Sequence, residues 1–246
     1  MRFGDRQITS ISDLLAQLTI DRQQTNDSPM WFRGQTNAAW NLQPKVLRGP
    51  NRPEWDIIGR FQQNATLLVE RNPTSDFDWL FLIQHYGGPT RLLDWSESPL
   101  IALWFAIHDD NTEDQPAAVW CLLPTVLNQY ANFRAEFDGS IPSFADSTLN
   151  SYSPTSLQQE KRSHLIPMAA IASRNNRRIQ AQQGVFTISH RAEGSVDNLP
   201  QNYQSDHVWR YVIPADAKTT FKSQLKSLGF SKFQLFPELP HALDGV

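Results

Sequence analysis

The segment 117–123 constrains the fold more than any other part of the chain. Its sequence, AAVWCLL, is apolar at every position, so a strand formed there would need cover on both faces. Such a strand lies inside a sheet onto which helices pack. Further strand-like stretches occur on both sides of every loop, so no boundary divides the chain cleanly. We therefore predict one α+β domain over residues 1–246, with a mixed, mostly antiparallel sheet and flanking helices.

Hydrophobic spacing and turn residues place the other elements around this strand. Short apolar or alternating runs predict strands at 30–32, 90–95, 178–189 and 207–213. Helical spacing predicts helices that begin at Ser10 or Ser12, near Pro53, at Asp76, after the capping residue Ser96 and at Ala215. The region 137–164 is rich in Ser, Pro, Asn and Asp, and we expect it to be a long loop excursion.

Composition excludes several classes of protein. The 22 Lys and Arg residues against 25 Asp and Glu give a net charge of −3, so general attraction to a phosphate backbone is not the main activity. The single cysteine, Cys121, excludes intramolecular disulfides and Cys-rich zinc sites, and its apolar surroundings predict a buried, inert thiol. No pair of histidines has metal-ligand spacing, so we expect no metal. Without an apolar run of membrane-span or signal-peptide type, we expect a soluble, cytoplasmic protein.

Two segments carry unusual motifs. The first is Trp31–Gln35 (WFRGQ), and the second is the run LIQHYGGPTRLLDW over residues 82–95, which continues to Ala106. Together they resemble the FRG domain, a bacterial and phage family named for its Phe-Arg-Gly signature. Residues 178–187 and 225–239 are similar to the C-terminal parts of that family. The resemblance therefore spans about residues 10 to 240.

A second resemblance bears on chemistry. The tripeptide Phe32-Arg33-Gly34 is similar to the aromatic-Arg-Gly element that ends the first core strand of ADP-ribosyltransferases of the Arg-Ser-Glu type, where the arginine holds NAD. The segment 90–96 and a helix ending in Phe105-Ala106 resemble the element that follows in those enzymes. Their third element is a strand with a glutamate that binds the nicotinamide ribose. At that place this chain has Gln182-Gln183.

This second resemblance implies an ADP-ribosyltransferase-like fold and one NAD site. Arg33 would grip the diphosphate through two parallel bonds, and Gly34 would let the ligand approach the backbone. Asp94 would shape the ribose site, and Gln182 would occupy the place of the glutamate, so the expected catalytic residues are Arg33, Asp94 and Gln182. The other residues expected to bind the dinucleotide are Phe32, Gly34, Gln35, Gln84, His85, Tyr86, Thr90, Arg91, Trp95 and Gln183.

Structural alternatives stand beside these assignments. Arg33 can be a buried arginine paired with a carboxylate such as Asp94, and that carboxylate can serve to orient an arginine. Tyr86 and Trp95 can belong to the core, and Gln84 can cap a helix. If the site is real, Arg33 should lie within side-chain reach of residues 90–95 and 182–183, with these segments facing one cleft.

Three functions follow from the sequence. The favoured one is an NAD-dependent ADP-ribosyltransferase-like enzyme that modifies a protein or nucleic acid in a toxin or phage-defence role, with an antitoxin as an expected partner. The cluster Arg174, Arg177 and Arg178 is the expected contact for DNA or RNA. The alternative is a non-catalytic nucleotide- or nucleic-acid-binding module, because an amide stabilises a ribosyl cation far less than a carboxylate does. A nuclease ranks last, since Asp94 and Glu97 are the only carboxylate pair near the signature.

Overall fold

A seven-stranded sheet is the framework of the part of the chain that the computed structural model describes. That part comprises residues 1–49, 53–69, 73–133, 141–160, 163–173, 176–191, 195–200, 203–204 and 206–243. The strands are β1 (Arg6–Gln7), β2 (Trp31–Gln35), β3 (Leu92–Ser96), β4 (Ala117–Leu122), β5 (Met168–Ala170), β6 (Gly184–Ile188) and β7 (Val208–Ile213). Their spatial order is β1-β7-β4-β2-β3-β6-β5. Only the β1–β7 pair is parallel among the described pairs, so the predicted mixed, mostly antiparallel sheet is confirmed.

Helices connect and flank these strands. They are α1 (Ile11–Gln24), α2 (Glu54–Ala65), α3 (Asp76–His85), α4 (Pro99–Ile107), α5 (Pro124–Tyr130), α6 (Pro154–Gln159), α7 (Arg177–Ala181), α8 (Lys218–Ser227) and α9 (Lys232–Leu235). Short 3₁₀ turns lie at Lys45–Leu47, Asp110–Thr112, Ser147–Tyr152, Ala215–Ala217 and Leu239–His241. None of the described helices combines the length and apolar character that a membrane span requires.

Side-chain caps explain where three helices begin. The Ser10 hydroxyl accepts a hydrogen bond from the backbone N–H of Asp13 at the start of α1, as one of the two predicted caps. Ser75 and Asp78 form a reciprocal capping box at the start of α3. The predicted cap of α4, Ser96, is wrong, because Ser98 accepts from the N–H of Ile101 while Ser96 is still in β3.

Two other predicted segments differ from the structure. The strand expected over 178–189 begins only at Gly184, because residues 177–181 form α7, whose first turn is capped by the Asn176 side chain. Gln183, between them, has a φ of 47°, a left-handed conformation that ends the helix and turns the chain into β6. The expected loop excursion over 137–164 contains α6 and a 3₁₀ turn within its described residues; residues 137–140 and 161–162 lie outside the described part.

The core is divided between the two faces of the sheet. Residues that are paired across neighbouring strands, such as Phe32 with Ser96 and Asp94 with Phe186, have their side chains on the same face of the sheet. On this face, one cluster packs α1, α4 and α8 onto β2, β4 and β7, and a second packs α2 and α3 onto β3, β5 and β6. A third cluster, which includes Trp31, Trp95 and Trp120, covers the opposite face. The strand 117–122 is thus buried on both sides, as predicted.

The two clusters that share a face are separated at the junction of β2 and β3. β2 pairs with β4 at five positions, but it pairs with β3 at only one, Phe32 with Ser96. Beyond this pair the strands diverge, and the Nη1 of Arg33 donates to the carbonyl oxygen of Asp94 at 2.6 Å. A side chain therefore takes the place of ladder hydrogen bonds at this point in the sheet.

The glycine of the Phe-Arg-Gly tripeptide is required by helix packing. A Cβ atom on Gly34 would overlap the carbonyl oxygen of Ala102 and lie 2.5 Å from the backbone nitrogen of Ala106. The small residues Ala102 and Ala106 let the backbone of α4 lie directly on β2. Close packing of this helix against the Cα of Gly34 therefore requires a glycine at this position whether or not a ligand approaches the backbone there.

Gly34→Ala should lower the free energy of unfolding by about 3 kcal/mol or more, the upper end of overpacking costs, because backbone atoms cannot rotate away. Gly59→Ala is the matched control, since a Cβ there meets nothing within 4 Å and lies inside α2. The free energy of unfolding of this control should rise by about 0.5–1 kcal/mol, because alanine has a higher helix propensity than glycine. Urea unfolding measures both, and equal stability of the two variants would contradict the close packing of β2 on α4.

Cys121 should not react with thiol reagents in the native protein. Its side chain is fully buried in β4, and burial raises the pKa of the thiol, with a further contribution from the Asp21 carboxylate. Ellman's reagent should therefore modify no thiol in buffer and one thiol per chain in guanidinium chloride. Rapid modification of the folded protein would show that β4 is accessible.

Candidate functional site

A cavity of about 420 Å³ opens where β2 and β3 diverge. We call it the β2–β3 cavity. Its walls come from α3, through Phe81 and Gln84, and from α4, through Phe105. Phe186 of β6 and Trp95 of β3 also line it. The cavity therefore occupies the gap between the two core clusters that share one face of the sheet, and its volume is typical of small-molecule sites.

Arg33 is the most buried cation in the cavity, with a side chain 17% exposed. Its Nη1 donates to the carbonyl of Asp94 and lies 4.0 Å from the carboxylate of the same residue. Its Nε is buried and has no hydrogen-bond partner among the described residues. Burial lowers the pKa of Arg33 to about 10, against the opposing effect of the Asp94 carboxylate, so the guanidinium is charged at neutral pH. This arginine therefore retains donor capacity that the protein itself does not use.

A chain of hydrogen bonds orients Asp94. The Thr90 hydroxyl donates to the amide oxygen of Gln84, whose amide nitrogen donates to the Asp94 carboxylate at 2.9 Å. Thr90 is completely buried, whereas the Asp94 side chain is 58% exposed toward the cavity and solvent. Thr90 thus positions Gln84, and Gln84 fixes the one carboxylate among the described residues that line the cavity.

Three further cations line the cavity, and the hydrogen bonds described for them go to backbone carbonyls. Lys45 Nζ donates to the Gly87 oxygen at 2.6 Å, Arg48 Nε to the Gln43 oxygen at 2.6 Å, and Arg178 Nη1 to the His85 oxygen at 3.2 Å. Carbonyl oxygens orient these side chains without neutralising them. Burial lowers the pKa of Arg48, and the nearby Asp94 carboxylate opposes that effect. With Arg33, the lining carries four cationic side chains against one carboxylate within the described residues.

The C-terminal segment, residues 231–243, packs against side chains that line the cavity. Phe236 packs on Phe105 of α4 and lies under the guanidinium of Arg178, 4.3 Å from the ring centroid. The amide nitrogen of Gln182 donates to the Leu235 carbonyl at 3.0 Å. The Oε1 of Glu238 lies 3.8 Å from Nε2 of His85. The segment thus holds cavity-lining side chains that come from α3 and α7.

The structure brings most of the predicted site residues to this one cavity. Arg33 lies within reach of β3, and Gln182 lines the same space, so the expectation of one cleft is confirmed for these two segments. The predicted site residues that line the cavity are Phe32, Arg33, Gly34, Gln35, Gln84, His85, Asp94, Trp95 and Gln182. The strand expected over 178–189 would have placed Gln182 and Gln183 on alternate faces of the sheet. Instead, both residues precede β6: Gln182 directly follows α7, and Gln183 is exposed.

Four predicted ligand residues lie outside the cavity lining. They are Tyr86, Thr90, Arg91 and Gln183. Arg91 is buried and makes four hydrogen bonds: its Nε donates to Glu54 at 2.6 Å, and its Nη atoms donate to the carbonyls of Ser189, His190 and Tyr152. Four of the five N–H donors of this guanidinium are thus used in joining α2 to the strands, and its charge is paired.

Two arginines of the predicted basic cluster, Arg177 and Arg178, lie in different surroundings. Arg178 lines the β2–β3 cavity, whereas Arg177 is exposed at the first position of α7. Arg174 lies outside the described residues. No group of three or more His, Cys, Asp or Glu side chains within the described ranges has the arrangement of a metal site.

Sequence reasoning missed several residues of the cavity, among them Lys45, Arg48 and Ser96. Lys45 and Arg48 come from the irregular segment after β2, which shows no hydrophobic period, so nothing local marks them as site residues. Ser96 was taken only as a helix cap. Its hydroxyl donates to the Gln182 carbonyl at 2.7 Å and thereby ties the end of β3 to the end of α7.

His85 offers a direct test of the charges around the cavity. Burial lowers its pKa below the ordinary 6.5, the Glu238 carboxylate raises it, and Arg178 lowers it. The imidazole of His85 should therefore titrate below 6.5 in NMR spectra, and it should be mostly neutral at pH 7. Glu238→Gln should lower the midpoint further, and Arg178→Gln should raise it. A midpoint at or above 6.5 in the wild type, or shifts of the opposite sign, would contradict this geometry.

Comparison with known proteins supports the assignment of the signature segments. Residues 28–115 match the family model of the FRG domain. The matched range runs from the start of β2 through α4 and contains Arg33, Asp94, Lys45 and Arg48, whereas the walls from α7 and β6 lie beyond it. No curated protein and no solved structure matches the chain significantly. The predicted FRG resemblance is thus confirmed over residues 28–115.

Proposed function

We propose that this protein, which contains an FRG domain, binds NAD in the β2–β3 cavity and is an ADP-ribosyltransferase-like enzyme. It would transfer ADP-ribose to a macromolecular acceptor. One observation carries the proposal: the three residues expected to act on NAD, Arg33, Asp94 and Gln182, line one cavity that is rich in cations. The ADP-ribosyltransferase resemblance of the sequence supplies the chemistry, and the geometry is compatible with it.

The charge of the cavity favours a diphosphate. Four cations and one carboxylate line a partly buried space, where Coulomb attraction is stronger than in bulk water. Arg33 has a buried Nε without a partner among the described residues, and its Nη1 is oriented by the Asp94 carbonyl. The two terminal nitrogens of a guanidinium can bind two phosphate oxygens in parallel, which a lysine cannot do. A diphosphate would thus supply the partners that these cations lack within the described residues.

The aromatic walls suit the two flat rings of NAD. Phe81, Phe105 and Phe186 line the cavity, and the ring of Phe81 packs on those of Phe144 and Phe186, which holds it in place. Rigid aromatic walls bind flat rings with little loss of conformational entropy. The adenine ring and the cationic nicotinamide ring are both flat. The indole of Trp95 is buried in the core cluster on the opposite face of the sheet and offers no ring surface to a ligand.

In the proposed reaction, the bond between the nicotinamide nitrogen and the ribose carbon breaks, and its electron pair leaves with neutral nicotinamide. A nucleophile of the acceptor then forms a bond to the same carbon and releases its proton. The exposed carboxylate of Asp94 can stabilise the positive charge that develops on the ribose. Gln84 holds that carboxylate, and the side chain of Gln182 would act on the ribose in the transition state. Catalysis would come mainly from positioning and electrostatics.

A second function, a non-catalytic nucleotide-binding module, has its own supporting observation. The amide of Gln182 is occupied by the Leu235 carbonyl, and Asp94 is the only carboxylate among the described lining residues. A site with this composition can bind NAD without cleaving it. The two functions share the ligand and differ in turnover.

Arg33→Lys should weaken NAD binding about tenfold or more, because it keeps the charge but loses the planar pair of donors, worth about 1.5–3 kcal/mol. Arg177→Lys is the matched control, since Arg177 is exposed and does not line the cavity. Isothermal titration with NAD measures both, after denaturant unfolding has established that Arg33→Lys is folded. No NAD binding by the wild type would exclude both proposed functions.

Gln182 variants should separate the enzyme from the binding module. Gln182→Ala should leave NAD affinity nearly unchanged and suppress nicotinamide release if the amide acts in the transition state. Gln182→Glu should preserve or raise release, because a carboxylate cannot donate to the Leu235 carbonyl and would turn toward the cavity cations. Release is measured with protein, DNA and RNA pools as acceptors, which also tests the proposed toxin or phage-defence role. Binding without release in the wild type, with release only in Gln182→Glu, would identify the binding module.

A further inference from the structure

Two exposed aromatic side chains flank the mouth of the β2–β3 cavity. Trp40, in the segment that follows β2, is 45% exposed and lines the cavity. Tyr86, just after α3, is 71% exposed, and its ring packs edge-on against His85, which also lines the cavity. An indole and a phenol with free faces are costly to leave in water. Their placement at a cavity mouth indicates contact with a ligand that extends beyond the cavity.

Two cationic side chains belong to the same part of the structure as these aromatics. Lys45 comes from the same segment as Trp40, and its Nζ donates to the carbonyl of Gly87, which follows Tyr86 directly. Arg48 directly follows the 3₁₀ turn Lys45–Leu47, is exposed and lines the cavity as well. The mouth thus combines aromatic rings with cationic groups, although the whole chain is negatively charged.

We propose that this mouth, formed by Trp40, Lys45, Arg48 and Tyr86, binds single-stranded nucleic acid. The bases would stack on the two rings, and the phosphates would contact the two cations. The role of the bound strand as ADP-ribose acceptor rests on the proposed function, whereas the binding itself does not. The mouth replaces the predicted contact through Arg177 and Arg178, because Arg178 is committed to the cavity and the C-terminal segment.

The combination of groups favours an unpaired strand over other anions. Every base has a π face that can stack on an aromatic ring, and only unpaired bases expose it. A duplex would present phosphates to Lys45 and Arg48 but leave Trp40 and Tyr86 without a partner. An acidic peptide would satisfy the cations and would likewise leave the rings exposed. Stacking by the rings is therefore the property that the experiment must isolate.

The test is fluorescence anisotropy with labelled 12-nucleotide single strands of DNA and RNA, measured without NAD. Trp40→Ala and Tyr86→Ala should each weaken binding at least about fivefold, the lower end of a base–aromatic stacking contribution. Trp55→Ala is the matched control, because Trp55 is 44% exposed on α2 and does not line the cavity. It should bind like the wild type. The matching duplex and an acidic 12-residue peptide should bind more weakly than the single strands.

Salt dependence tests the cations separately. The double variant Lys45→Gln with Arg48→Gln should reduce the slope of log affinity against log salt by roughly 1.4, since each phosphate contact to a single strand contributes about 0.7. Lys226→Gln, on the exposed face of α8, should leave the slope unchanged.

NAD titration of Tyr86→Ala separates this proposal from the proposed function. Tyr86 lies outside the cavity lining, so Tyr86→Ala should retain NAD affinity. A loss of NAD affinity equal to the loss of oligonucleotide affinity would overturn the proposal, because it would place the Tyr86 ring in the dinucleotide site. Equal binding of single strand, duplex and acidic peptide would also overturn it, as would equal oligonucleotide affinity in Trp40→Ala and Trp55→Ala. If NAD does not bind at all but the strand binds as described, the nucleic-acid site stands and the transferase function fails.

Discussion

The single backbone pair between β2 and β3 is the constraint on which the rest of the structure depends. On one side of that pair the sheet is continuous through β4 and β7, and on the other through β6 and β5. The divergence of β2 and β3 opens the β2–β3 cavity, which polar side chains such as Arg33 and Asp94 line. Arg33 spans the gap with a bond to the Asp94 carbonyl. The residue that holds the two halves together is therefore the same one that faces the cavity.

The cavity stores electrostatic free energy that a bound anion would release. The cations Lys45, Arg48 and Arg178 are oriented by carbonyl oxygens, which fix their geometry but leave their mutual repulsion in place. A carboxylate at each cation would have stabilised the empty protein and removed the attraction for a ligand. An anion that binds only the folded state stabilises it by mass action. Preorganised, unneutralised charge is what a site for a polyanion requires.

The sequence predicted the sheet well and the walls of the cavity poorly, for identifiable reasons. Apolar runs such as 117–122 specify strands because burial on both faces leaves no other solution. Residues 177–183 contain few apolar side chains, so their pattern fits a strand or a helix, and the Asn176 cap decides for α7. Lys45 joins the site through a carbonyl 42 positions away, a contact that no local pattern encodes. The signature identified Arg33 and Asp94, but their roles depend on how β2 and β3 diverge.

Arg33 and Arg91 show how similar side chains in neighbouring strands take different roles. Arg91 is paired with Glu54 and donates to three carbonyls, so its charge is paired and most of its donors are used inside the protein. Arg33 donates to one carbonyl, lies 4.0 Å from its carboxylate and has a buried Nε without a partner among the described residues. An unpaired Nε alone does not mark a ligand site, because Arg6 also has one although its Nη atoms are paired with Asp21. The feature that distinguishes Arg33 is its weak pairing within the lining of the β2–β3 cavity, and for this reason Arg33, and not Arg91, is the arginine proposed to bind a ligand.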